Sequence, residues 1–186
     1  MQGAIIVVDM LEDPLGDEHA YPIAPHGRAI IPTINQITVE ARARRWPVIF
    51  ACDSFLPDDF IFGGKMTPHS LRGTPGAQPV AELTREPADE LLPKRRFSAF
   101  FKTDLDQTLR AKQVDTVVVC GIATHFCVIT TALDALCHDF RVILVEDATA
   151  AYSPEIHERT LALYRRNPLY PLLRVMTAAQ MLELPA

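Results

Sequence analysis

Thr116-Val117-Val118-Val119-Cys120-Gly121-Ile122-Ala123-Thr124-His125-Phe126-Cys127 is the stretch on which the reading of the fold turns. Its first half is an apolar run rich in β-branched residues, which suits a strand covered on both faces. Gly121 begins a turn, and a helix is expected from about His125 to Cys137. A doubly buried strand that runs through a short turn into a helix is the repeating unit of a parallel sheet.

The same unit recurs in both directions along the chain. Upstream, Ala4-Ile5-Ile6-Val7-Val8 reads as a first strand, residues 25–45 as a helix and residues 46–52 as a second strand. Downstream, Arg141 to Val145 reads as a strand, 154–166 as a helix, Leu173 to Met176 as a short last strand and 177–183 as a final helix. A helix over 103–112 has Thr103 as its expected N-cap. Residues 54–93, rich in Pro, Gly and Asp, have weak periodicity and read as a functional loop region. The expected fold is α/β: a single domain over residues 1–186, with an open, mainly parallel sheet and helices on both faces. Alternation alone does not choose between flavodoxin-like and Rossmann-like arrangements.

Composition agrees with a globular chain. It has 186 residues, 48% of them hydrophobic, and a formal net charge of −5. That length fits one domain. The mild acidity leaves no electrostatic footprint for nucleic acid, and no apolar run reaches the length of a membrane span. The four cysteines, at 52, 120, 127 and 137, form no Cys-x-x-Cys pair. Cys52 and Cys120 sit in strand-like runs as small hydrophobes. With no secretory leader pattern, a cytoplasmic protein with reduced thiols is expected.

Ligands of open parallel sheets gather beyond the carboxyl ends of the strands. Asp9, Asp53 and Glu146-Asp147 follow three such ends, and Cys127 follows a fourth. A thiol in the first turn of a helix meets a positive partial charge and free N–H groups, so a lowered pKa and an oxyanion site are expected there. Taken singly, each candidate has a plainer reading: Cys127 as a buried structural cysteine, Asp9 as a turn residue, Lys94 as a surface lysine. No dinucleotide, P-loop or serine-elbow motif competes.

Three stretches together resemble the isochorismatase-like cysteine hydrolase superfamily, which includes nicotinamidases and N-carbamoylsarcosine amidases. They are Ala4 to Met10, Lys94-Arg95-Arg96-Phe97-Ser98-Ala99-Phe100, and Gly121 to Val128 with its continuation to Ala135. The resemblance spans residues 4 to about 151. It implies a cysteine amidohydrolase with Cys127 as nucleophile, Asp9 as base and Lys94 beside them. It also implies a cis peptide at Ile122–Ala123, and an oxyanion hole from the N–H groups of Ala123 and Cys127. The expected substrate is a small amide or carbamoyl compound, and homo-oligomers are common in the family.

Nicotinamidases bind zinc through an Asp-x-His pair and a later histidine. Here Asp53-Ser54-Phe55 breaks the pair, although His69 matches the later ligand, and Asp58 and Asp59 lie nearby. Zinc usually takes three or four protein ligands. No cofactor is therefore expected to be required, and a zinc ion would need Asp58 or Asp59 in place of the ligand lost at Phe55. Asp53, Phe55, His69 and His125 are expected to shape the substrate pocket, and His138 is given no catalytic role. Two other readings stay open: an isochorismatase-type hydrolase without covalent catalysis, and a non-enzymatic thiol or binding module on the same fold.

Overall fold

The structure is a computed structural model that describes residues 1–16 and 21–185. Six strands form one sheet: β1 (Gly3–Val8), β2 (Val48–Asp53), β3 (Glu90–Lys94), β4 (Thr116–Ile122), β5 (Arg141–Ala150) and β6 (Leu173–Met176). All neighbours are parallel, in the order β3-β2-β1-β4-β5-β6. The chain therefore reverses its direction of travel at β1, and a crevice opens there between the ends of β1 and β4. This is where doubly wound sheets place ligands.

The apolar runs explain why the sheet is covered twice. Successive strand residues point to opposite faces, so Ile5, Val7, Val118 and Cys120 face one layer while Ala4, Ile6, Val8, Val117 and Val119 face the other. The first layer receives α3 (Ile31–Ala43) through Ile34, Ile37 and Ala41, and α7 (Ala178–Leu182) through Met181. The second receives α4 (Leu105–Ala111) through Leu105 and Leu109, and α5 (Ile129–Cys137) through Ala132 and Ala135. Each fully buried branched or aromatic side chain contributes about 1.5–3 kcal/mol. Among the described residues no helix is long and apolar enough to cross a membrane.

Several elements differ from the sequence expectation. Residues 25–45 form two helices, α2 (Ala24–Ala29) and α3, joined at Ile30 just before Pro32. The loop region ends in an additional edge strand, β3, whose alternating exposure and Pro93 are compatible with an edge. Asp104 holds the N-cap position of α4, one residue past the expected Thr103, yet the Thr103 hydroxyl still accepts from the Leu105 amide at 3.4 Å while donating to the Ala99 carbonyl at 2.6 Å. β5 runs five residues past Val145. Val119 pairs with Leu144 and Gly121 with Thr149, so residues 145–148 bulge against the single residue Cys120. Glu146 and Asp147 lie in that bulge rather than beyond a strand end.

Candidate active site

Four side chains from four strand ends meet in the crevice. Asp9 follows β1 with a left-handed backbone (φ 52°), an uncommon conformation for a residue with a side chain. Its amide donates to the Ala51 carbonyl at 2.9 Å, which carries the carboxylate across the end of β2. There the Asp53 amide donates to Asp9 Oδ1 at 2.8 Å. Lys94 ends β3 directly opposite Asp53 in the sheet register. Its Nζ donates to Asp9 Oδ2 at 2.8 Å, to Asp53 Oδ1, and to the Arg96 carbonyl at 3.2 Å. All three ammonium hydrogens are thus used inside the protein. Oxygens of Asp9 and Asp53 and the Cys127 sulfur lie within 4.8 Å of one another.

All four residues are buried, and Lys94 is only 1% exposed. Burial therefore sets the electrostatics. Burial, the Asp9 charge and only partial relief from Lys94 push Asp53 up from 3.8 to about 7. Burial works to lower the Lys94 pKa, but Asp53, Asp9 and Cys127 outweigh it and hold the ammonium charged. The thiol departs from the sequence expectation. Burial raises the Cys127 pKa well above its usual value, and the Asp9 and Asp53 carboxylates add to this against the opposing pull of Lys94. Burial and the two carboxylates together outweigh Lys94 and the turn's dipole, so the thiol is the resting form.

Cys127 lies in a wide, π-type turn over Thr124–Val128 that precedes α5, rather than in the first turn of α5 itself. The turn is set by two local features. Gly121 has φ 104°, and a Cβ there would lie 2.1 Å from the Val8 carbonyl oxygen, so only glycine fits between β1 and β4. The Ile122–Ala123 peptide is cis. The Ala123 carbonyl then accepts from the amides of Phe126 and Val128, at 2.9 and 3.3 Å. Ala123 and Cys127 thus bracket one tight curl of backbone.

Sequence reasoning missed what holds this curl. The buried Thr124 hydroxyl is 3.0 Å from His157 Nδ1 on α6 (Pro154–Arg165). His157 also hydrogen-bonds the Glu146 backbone in the β5 bulge, and burial pushes its pKa down. The neutral ring donates to the carbonyl through one nitrogen and accepts from Thr124 through the other. Nothing in the sequence marks a histidine on a mostly polar helix as a partner of residue 124.

A cavity of about 480 Å³ opens over Cys127, Asp9 and Asp53. Its walls include Tyr21, Phe55, His69, Phe97, Phe126 and Tyr152. Phe55 and His69 lie where the sequence placed them, on the wall. Phe55 is 1% exposed and packs edge-on against His69, with ring centroids 5.5 Å apart. His125 stands apart. Its ring packs on Phe126 and Tyr152, it is not among the cavity's lining residues, and its buried Nδ1 has no hydrogen-bond partner among the described residues. Asp59 is buried and bound to Arg95, Arg96 and the Leu56 amide. That ties the loop after β2 to the residues that follow Lys94.

Residues 3–180 match the family model described as the isochorismatase domain. The chain belongs to the isochorismatase family. Among solved members, an isochorismatase-like hydrolase from Alkaliphilus metalliredigens superposes with a TM-score of 0.87 at 32% identity, covering 98% of each chain. The N-carbamoylsarcosine amidase from Thermoplasma acidophilum gives 0.81 at 31%, covering 96% of this chain and 97% of its own. The pyrazinamidase of Pyrococcus horikoshii, solved in complex with zinc, gives 0.80 at 30%, covering 95% and 99%.

The present chain does not offer this family's zinc enzymes' donor set. Position 55 is carbon-only, Asp59 is consumed by arginines, and Thr67 occupies His69 Nδ1 at 2.9 Å. Asp58 is exposed, and neither it nor His69 joins a group of three donors close enough to share one ion among the described residues, short of the three protein ligands zinc takes. Asp9, Asp53 and Cys127 form the one three-donor cluster among the described residues. The Lys94 ammonium already sits on both of its carboxylates.

Proposed function

We propose that this isochorismatase-family hydrolase is a cysteine amidohydrolase, cleaving the C–N bond of a small carboxamide or carbamoyl compound through a thioester on Cys127, with no resident metal or other cofactor. The observation that carries the reading is the meeting of Asp9, Lys94 and Cys127, with Asp9 and Cys127 on the lining of one cavity. It draws further support from the amidases among the chain's structural relatives.

The mechanism follows from the charge balance. Asp9 takes the thiol proton as sulfur attacks the carbonyl carbon, so base and nucleophile act together. A preformed thiolate would add a second net negative charge to a buried cluster. The developing oxyanion is met by the N–H groups of Ala123 and Cys127 in the π-type turn. Asp9 returns the proton to the leaving nitrogen, and ammonia or an amine departs. Water, deprotonated by Asp9, then attacks the thioester, releasing the acid and restoring the thiol. Lys94 orients Asp9 and keeps both carboxylates from facing each other uncompensated.

Ammonia release from a panel of carboxamides tests this. Cys127→Ala should retain the wild-type circular-dichroism spectrum and lose at least about a thousandfold in rate, in line with removal of a covalent nucleophile. A variant that keeps most of the wild-type rate would remove Cys127 from the mechanism.

A further inference from the structure

The amidohydrolase reading explains Asp9 and Cys127 on the lining of the cavity but not His69, which sits there among aromatic rings. We propose that His69 sets substrate specificity: its Nε2 lone pair accepts a hydrogen bond from an N–H or O–H on the edge of an uncharged carboxamide remote from the scissile bond, with no metal between. The assignment rests on the amidohydrolase reading for the identity of the scissile group.

Four observations lead there. First, the tautomer is fixed. His69 Nδ1 lies 2.9 Å from the Thr67 carbonyl, which can only accept, so the hydrogen is on Nδ1 and the lone pair of the neutral ring is on Nε2. Nε2 has no hydrogen-bond partner among the described residues. Second, the ring is held in place. Tyr21, Phe55 and Phe62 surround it with centroid distances of 6.0, 5.5 and 6.0 Å, and the Tyr21 hydroxyl is 3.2 Å from Thr67 Oγ1. An acceptor among such rings loses its hydration when the cavity fills, so a ligand without a donor leaves it unpaired. Third, Phe55 places a buried apolar ring beside His69, at the position where an Asp-x-His metal pair would supply a second nitrogen. The histidine is thereby left to contact an organic ligand directly. Fourth, among the described residues no arginine lines the cavity. Lys94, paired with Asp9, Asp53 and the Arg96 carbonyl, is not on its lining, which leaves Lys65 as the one cation among the described lining residues. With no bidentate clamp for a carboxylate, the walls suit an uncharged, planar body.

This reading sets a direction of preference that a pyridine-type ring does not satisfy, because its nitrogen is also an acceptor. The test measures binding by the Cys127→Ala chain, so that it does not depend on turnover. The ligands are 3- and 4-hydroxybenzamide, benzamide and nicotinamide, measured by isothermal titration calorimetry. At least one hydroxybenzamide should bind about tenfold tighter than benzamide, the worth of one desolvated hydrogen bond. Nicotinamide should gain nothing over benzamide. Adding His69→Phe should bring the hydroxybenzamide-to-benzamide ratio within about twofold of one. Equilibrium dialysis against zinc should leave the wild-type chain without stoichiometric metal. The proposal is overturned by nicotinamide binding tighter than both hydroxybenzamides, by a ratio that survives His69→Phe, by binding of none of the ligands, or by one tightly held zinc per chain. Selective binding by the Cys127→Ala chain without hydrolysis by the wild type would leave His69's role standing and refute the amidohydrolase.

Discussion

Asp53→Asn should make the protein's stability less sensitive to pH, and the size of the effect follows from the position of Asp53 in the cluster. The Asp53 carboxyl is held near 7 in the folded chain, against 3.8 for an ordinary aspartate. A carboxyl raised in this way keeps a proton that the unfolded chain has already lost. Between those two values the native state binds more protons than the unfolded state, so stability falls as pH rises, by about 1.4 kcal/mol per unit. From pH 5 to 7 the loss attributable to this group is about 2 kcal/mol, and it levels off within about one pH unit above 7. Asparagine carries no such proton. The stability of Asp53→Asn minus that of the wild type should therefore increase by about 3 kcal/mol between pH 5 and 8. Urea unfolding at pH 5, 6, 7 and 8 and constant ionic strength measures this difference. Titration of His125 and His157 occurs in both proteins and cancels, while the raised thiols of Cys52 and Cys127 titrate above the range. A difference that stays flat across this range, or shrinks, would refute the charge balance on which the mechanism depends.

Other consequences are more direct. Gly121→Ala puts a methyl group 2.1 Å from the Val8 carbonyl oxygen at a backbone φ of 104°, so it should cost at least about 3 kcal/mol in denaturant unfolding or abolish soluble expression. A variant as stable as the wild type would contradict the close approach of β1 and β4. Thr124→Val and His157→Ala should each lower kcat about tenfold with little change in KM, and slow alkylation of Cys127 by iodoacetamide in parallel. Because the two residues act through one hydrogen bond, the double variant should be scarcely worse than either single one. Fully additive losses would mean that His157 does not act through the nucleophile turn.

The parts of this molecule that were legible in the sequence are those governed by local pattern. The runs at 4–8 and 117–120 are apolar at every position, and such runs have few homes besides a doubly covered parallel strand. β3 was missed because Glu90-Leu91-Leu92-Pro93-Lys94 is short and alternates in exposure, so it carries no buried-strand signature. The full length of β5 was missed because the polar residues Glu146-Asp147 interrupt it at a bulge. Asp9 and Cys127 could be placed at strand ends from the sequence. Bringing Lys94 to them, however, requires knowing that β3 lies beside β2, which no local period encodes. The ionisation of Cys127 was misjudged for a related reason. The turn's dipole is a local feature, whereas the burial that chiefly opposes it, and the two carboxylates that add to it from β1 and β2, arise only in the assembled sheet. His157 was overlooked because its role exists only once α6 is docked against the turn.

The account stands most directly on a covalent bond to one sulfur. A turned-over carboxamide mixed with the enzyme, quenched in acid within milliseconds and analysed by peptide mass spectrometry, should show the acyl mass on the fragment containing Cys127, absent from Cys127→Ala. Burst-phase release of ammonia without any acyl adduct, or an adduct on another residue, would contradict it.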